Sequence, residues 1–305
     1  MKRLLSSESL ISDPSVAARP AIGAHSRPLR FLIVGLVVVV WWTLGFLLHL
    51  TTDAFLLLGV PLLVVFQLGI HRQPLRTLWV RSGPPLRLDG WFFLLWVLFS
   101  LFPIYALIRE AMSMQFVRAA SFSIAIVGAF SMAYALRAMR AKTWVQLGLC
   151  LLTVGIIGLL PQFLSLLLPH IVHIKSGHAL TTPHPTFLQG LEIATQWFLT
   201  MPIGFAVEEV FFRGALDTYL HRGEEGIGWL SAIFVSALWG LWHLSTQAPA
   251  SGNLLLTVVG LLAAQILVGV PLSLWWRKSG NLVVNNTAHA LLEGVRNGLA
   301  GYGLF

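Results

Sequence analysis

Two adjacent carboxylates and a guanidinium stand inside an apolar run: Glu208, Glu209 and Arg213 in the stretch Ala206, Val207, Glu208, Glu209, Val210, Phe211, Phe212, Arg213, Gly214. An ionisable side chain at mid-bilayer costs about 2.5 to 3.5 kcal/mol on insertion scales, so each such group calls for a partner or a task. On a helix Glu209 and Arg213, four apart, share a face as an ion pair, with Asp217 one turn further along. Glu208 points about 100° away from them. Lacking that cation, it is the carboxylate placed to take a proton from water as a general base. The plainer reading of the same residues is a buried ion-pair cluster that only fixes helix packing.

A second pattern, Trp239, Gly240, Leu241, Trp242, His243, sets an indole and an imidazole four apart on one face. Taken alone, His243 reads as a satisfied packing residue. If its helix runs antiparallel to the one carrying Glu208, with the turn near Glu225, the two side chains lie at similar depth. The third pattern is His289 with Glu293, again four apart, on a last apolar stretch whose first half carries Asn285 and Asn286. Such a polar stripe also serves as interhelical adhesive. Its company with the other two patterns favours chemistry.

The elements that must hold these groups are membrane spans. Of 305 residues 56% are hydrophobic and 10% charged, and the mean hydropathy is +0.79. A soluble domain carries about 25% charged residues. Apolar runs at 31–50, 54–70, 90–108, 116–136, 143–168, 187–210, 228–247, 253–276 and 281–300 each approach the roughly 20 residues needed to cross a bilayer. The fold class expected is all-α, a polytopic membrane helix bundle of eight or nine transmembrane helices, with Pro202 kinking the sixth. Residues 1–30 read as a disordered basic tail, 31–186 as N-terminal transmembrane helices and 187–305 as the catalytic core. The run 31–50 is too long for a signal-peptide core.

The formal charge of +8 lies in short segments between apolar runs, which suits orientation in a membrane and not nucleic-acid binding. The tail, the segment 71–87 with four arginines, and 137–142 are basic and alternate with weakly charged loops. By the positive-inside rule they face the cytoplasm, as do 213–226 and the pair Arg277 and Lys278. That makes the N-terminus cytoplasmic, in a plasma membrane of bacterial type. The lone Cys150 rules out an intramolecular disulfide. His170, His173, His178 and His184, spaced irregularly among prolines, read as a solvated external loop and not as a metal tract.

On these three patterns, in order, the sequence resembles the CPBP family (CAAX protease and bacteriocin-processing, or Abi), the type II CAAX prenyl endopeptidases. Their pattern is Glu-Glu-x-x-x-Arg, then aromatic-x-x-x-His, then His-x-x-x-Asn on successive helices, and the likeness covers roughly residues 200–297. The resemblance implies that Glu208 activates water, that Glu209 and Arg213 support it, and that His243 and His289 complete the cluster. Where the family carries an oxyanion-stabilising Asn, this chain has Glu293. A carboxylate donates a hydrogen bond only when protonated. Several readings stay open: a neutral Glu293 that still donates; a divalent ion such as zinc held by Glu209, His243, His289 and Glu293; a donor role for Asn285, Asn286 or Asn297; or lost activity.

The function expected is an intramembrane endopeptidase, with membrane lipid and a peptide or lipidated protein as partners and no nucleic acid. A non-catalytic immunity or scaffold protein that retains the protease fold is the alternative, motivated by Glu293. A small-solute transporter using Glu192, Gln265 and the glutamate pair ranks third, since the sequence has no evident inverted repeat.

Overall fold

A computed structural model describes residues 25–81, 83, 85–109, 115–172, 187–202, 205–222, 226–245 and 254–300. The chain is an all-helical membrane bundle. Its helices are α1 (Arg27–Leu47), α2 (Thr52–Val65), α3 (Gly90–Arg109), α4 (Gln115–Arg137), α5 (Ala141–Val172), α6 (Phe187–Leu199), α7 (Phe205–Glu209), α8 (Trp229–Trp242), α9 (Leu254–Ser279) and α10 (Leu282–Ala300). Six stretches among the described residues are long and apolar enough to cross a membrane, namely α1, α2 with its π-helical extension to Ile70, α3, α4, α5 and α9. The shorter or more polar α6, α7, α8 and α10 complete the bundle, in line with the expected eight or nine spans.

Two expected boundaries move. The helix foreseen from residue 31 begins at Arg27, because Pro28 at its first turn lacks only an amide hydrogen that has no intrahelical partner there. The stretch 187–210 is not one kinked span. It divides into α6 and α7, with turns at 200–202, since Pro202 removes a backbone donor and its ring clashes with the preceding turn. The carbonyl of Pro202 lies against Gly128 of α4, where an added Cβ would meet that oxygen at 1.7 Å. Beyond Glu209 the helix continues as a π-helical stretch, Val210–Asp217, and a last α-turn, Thr218–Leu220. The expected histidine-bearing loop does not begin at His170, because α5 continues through it to Val172; His173, His178 and His184 lie outside the described residues, as do the tail 1–24 and Glu225.

The N-terminal helices clamp the polar ones. Trp41 of α1 packs its ring 4.3 Å from Phe211, 5.1 Å from Trp242 and 5.3 Å from Phe55, centroid to centroid. Its indole Nε1 donates to the Phe55 carbonyl at 2.8 Å. Buried Arg30 donates to the Leu220 carbonyl at 2.6 Å, fastening α1 to the end of the α7 segment.

At the same end of the bundle the turn between α9 and α10 pairs with the 75–83 segment. Arg81 donates its amide to Gly280 and Leu282 its amide to Trp79, each at 2.9 Å. Asn281 caps α10, accepting from the Val283 amide at 2.9 Å while its own amide group donates to Ala135 of α4. The helix that carries His289 therefore starts at a fixed point. Nearby His71, half-buried and beside the Arg81 cation, is pushed down to about 4 by desolvation and by that charge.

Because the atom facing Gly128 is backbone oxygen, Gly128→Ala cannot be absorbed by a rotamer change. The variant is expected to lose about 1–3 kcal/mol or more, seen as a fall in thermal midpoint in detergent. An unchanged midpoint would contradict the close packing of α4 on the α6–α7 turn.

Candidate functional site

Helices α7, α8 and α10 bring the three polar patterns into one buried cluster around the Trp239 indole. Its Nε1 donates to Glu208 Oε2 at 2.9 Å. The Arg213 guanidinium carbon lies 4.6 Å from the Trp239 ring centroid, and the rings of His243 and His289 meet it at 5.4 and 5.0 Å. One aromatic side chain thus touches four other members: the base candidate, a cation and both imidazoles. Cation–π and edge-on ring contacts suit a site where few waters are present to solvate charge.

The two adjacent glutamates face different partners. Glu209 Oε1 accepts from His289 Nδ1 at 3.1 Å, and its Oε2 stands 3.7 Å from Arg213 Nε. Both Glu209 and Arg213 are almost fully buried. Room for the guanidinium comes partly from Gly269 of α9, where a Cβ would lie 3.0 Å from Arg213 Nη2. Glu208, as its angular offset implied, has no guanidinium and instead meets Trp239 and His243.

His243 directs Nδ1 to the carbonyl of Trp239 at 2.8 Å. A carbonyl only accepts, so this nitrogen carries the proton and in the neutral ring Nε2 is an acceptor. That Nε2 lies 3.9 Å from Glu208 Oε2. The separation exceeds a direct hydrogen bond and matches the span of a group that donates to both atoms.

The expected alignment of Asp217 with Glu209 and Arg213 is lost. The π-helical stretch places more residues in each turn than an α-helix, which rotates Asp217 out of the 3.6-residue register. Asp217 pairs instead with Arg277 of α9 at 2.6 Å. Of the three candidate asparagines, Asn285 donates to the Leu272 carbonyl and also bonds the Glu209 carboxylate, Asn286 donates to the Met132 sulfur, and Asn297 donates to the Glu293 carbonyl and, at 3.4 Å, to its carboxylate. Glu192 is exposed and accepts from Gln196 one turn along α6.

Glu293 lies on α10 one turn past His289 and pairs with Arg296. Its charge is felt at Glu208, and that of Arg296 at His243, so both border the cluster. Arg296 escaped the sequence reading because it sits three residues after the motif. Its i, i+4, i+7 relation to His289 and Glu293 was the available signal.

The fit of a divalent ion can be tested on the same side chains. Among the described residues no three His, Cys, Asp or Glu side chains group as metal ligands, and both oxygens of Glu209 already face His289 and Arg213. Among the described residues Glu209, His243, His289 and Glu293 are thus not grouped as a ligand set.

A family model described as type II CAAX prenyl endopeptidase Rce1-like matches residues 190–295, from α6 to the middle of α10. No curated protein and no solved structure matches the chain.

Removing one partner of a buried pair leaves the other uncompensated, at roughly 3–5 kcal/mol. Arg213→Leu should therefore depress the thermal midpoint strongly, while the double variant with Glu209→Gln should recover much of the loss. Equal melting of the single and double variants would show that the two charges are not coupled.

Proposed function

We propose that this membrane protein, whose residues 190–295 match a family model described as type II CAAX prenyl endopeptidase Rce1-like, is an intramembrane endopeptidase. It hydrolyses a peptide bond near the C-terminus of a membrane-associated, CAAX-type prenylated protein or peptide. The observation that carries this is the facing pair Glu208 Oε2 and His243 Nε2, 3.9 Å apart, with the Trp239 indole holding the carboxylate in place.

A water that donates one hydrogen to each acceptor is aligned for attack. As its oxygen bonds to the scissile carbonyl carbon, the proton passes to Glu208 and the carbonyl π pair becomes an oxyanion. The protonated Glu208 then gives its proton to the departing amide nitrogen as the C–N bond breaks. Product acid and amine leave with every atom accounted for. His243 orients the water, and its tautomer is fixed by the Trp239 carbonyl. Glu209 holds His289 in place, and Arg213 balances the charge of Glu209.

The oxyanion needs a donor where the family pattern has Asn and this chain has Glu293. Arg296, an always-charged donor tied to Glu293, supplies the positive charge on that side. Glu293 thereby acts on the reaction through Arg296, steering a guanidinium that is otherwise partly exposed.

In a reconstituted assay with a prenylated CAAX peptide, Glu208→Gln should lower kcat by about 10²–10⁴-fold, with the melting profile retained. Full activity of that variant would remove the proposed base. Chelation should leave the parent rate unchanged, whereas loss on chelation and recovery with zinc would require a metal-dependent route.

Arg296→Gln should lower kcat about 10²-fold or more, and Glu293→Asn should alter the rate by more than threefold because it both frees Arg296 and restores an amide donor. Indifference of cleavage to both substitutions would exclude them from the site. A parent chain that cleaves no such peptide yet binds it would favour the scaffold alternative.

A further inference from the structure

At the basic end of the bundle, some two helical turns before His289 on α10, lies a cavity of about 290 Å³. Arg140, Lys142, Thr143, Gln146, Lys278 and Ser279 are among its lining residues, and no carboxylate lines it. The three cations are exposed. Among the described residues none of them is in an ion pair, and the acids nearest in the fold are committed elsewhere, Asp89 to Arg137 and Asp217 to Arg277. Three positive charges gathered without a counterion repel one another, which an anionic ligand would relieve.

The chain around the cavity adds to this. Helix α5 begins at Ala141, between Arg140 and Lys142, so the positive end of its dipole faces the same space. The opposite wall is the end of α9 and the turn into α10, where Gln146 donates to the Lys278 carbonyl at 3.2 Å and joins the two walls. Thr143, Gln146 and Ser279 offer neutral hydrogen-bonding groups beside the cations.

The surroundings identify the source of the anion. Lys278 Nζ lies 4.7 Å from the ring centroid of Trp275, and Trp144 on the first turn of α5 is 53% exposed. Tryptophan at a helix end marks the level of lipid headgroups. Further along α5, Val145, Leu149, Leu152 and Ile156, spaced three and four apart, form an exposed apolar lane that starts beside Trp144. A soluble phosphate would use the cations alone, whereas a phospholipid would use the cations for its headgroup and the lane for an acyl chain.

We infer that this cavity is a binding site for the phosphate headgroup of an anionic phospholipid in the leaflet at the basic face of the bundle. A basic pocket between helices at the membrane surface is chemically suited to that group. The site is separate from the Glu208 cluster and does not depend on peptide hydrolysis.

The test uses the full-length purified chain in a non-ionic detergent, with dioctanoylphosphatidylglycerol, dioctanoylphosphatidylcholine and inorganic phosphate as probes, read by native mass spectrometry and by calorimetric titration. The phosphatidylglycerol should bind at least about tenfold more tightly than the phosphatidylcholine, and more tightly than inorganic phosphate. At about fivefold per cation, the triple variant Arg140→Gln, Lys142→Gln, Lys278→Gln should weaken phosphatidylglycerol binding by roughly a hundredfold. The control Arg72→Gln, Arg76→Gln, on the same face but outside the cavity, should bind as the parent does. Equal affinity for the two lipids, undiminished binding by the triple variant, or an equal loss in the control would overturn the assignment. Inorganic phosphate binding as tightly as phosphatidylglycerol would assign the cavity to a soluble anion instead. If the triple variant does not purify as a monodisperse species, Lys142→Gln and Lys278→Gln singly, each exposed, should give the per-cation loss.

Discussion

The constraint that organises this molecule is the burial of two neighbouring carboxylates in a helix of a membrane bundle. Neither can face lipid, and on consecutive residues they cannot share one partner. The chain resolves this by giving each its own set. Glu209 receives a guanidinium from its own helix and an imidazole from α10, while Glu208 receives an indole N–H from α8. Meeting those needs forces three helices together at one depth, and the position of Trp239 between them follows from the same requirement.

The rest of the bundle keeps that convergence from relaxing. Pro202 ends α6 and lets α7 start at a new angle, with Gly128 admitting the turn against α4. The aromatic ring of Trp41 braces Phe211, two residues past the acidic doublet, and Trp242, whose ring meets that of His243. At the basic end, Asp217 with Arg277 ties the π-helical continuation of α7 to α9, and Asn281 with Ala135 ties the start of α10 to α4. A polar cluster held this way is preorganised, so little rearrangement separates the resting site from one that can stabilise developing charge.

Much of this was legible in the residues. Helical spacing placed Glu209 with Arg213 and turned Glu208 aside, and the estimate that Glu208 and His243 lie at similar depth agrees with their 3.9 Å separation. The apolar runs foretold the helical bundle. What spacing alone could not foretell depends on departures from the α-helix. The π-helical stretch carries Asp217 out of line, and the break at Pro202 turns one span into two elements. The role of Trp239 was half visible, since an aromatic residue four before a histidine was noted but the acceptor of its N–H lies on another helix. Arg296 was missed because a motif ending at Glu293 drew attention away from the next turn, and the basic cavity was missed because its cations come from two distant segments.

The central claim is that water, activated between Glu208 and His243, attacks the peptide bond directly. A single turnover in ¹⁸O-labelled water tests it: enzyme in excess over a prenylated CAAX peptide, followed by mass analysis of both the new product carboxylate and the enzyme peptide spanning residues 205–213. One ¹⁸O atom in the product with an unlabelled enzyme peptide is the predicted result. Label in the Glu208 or Glu209 side chain, with an unlabelled product from the first turnover, would mean covalent attack by a carboxylate and would contradict it.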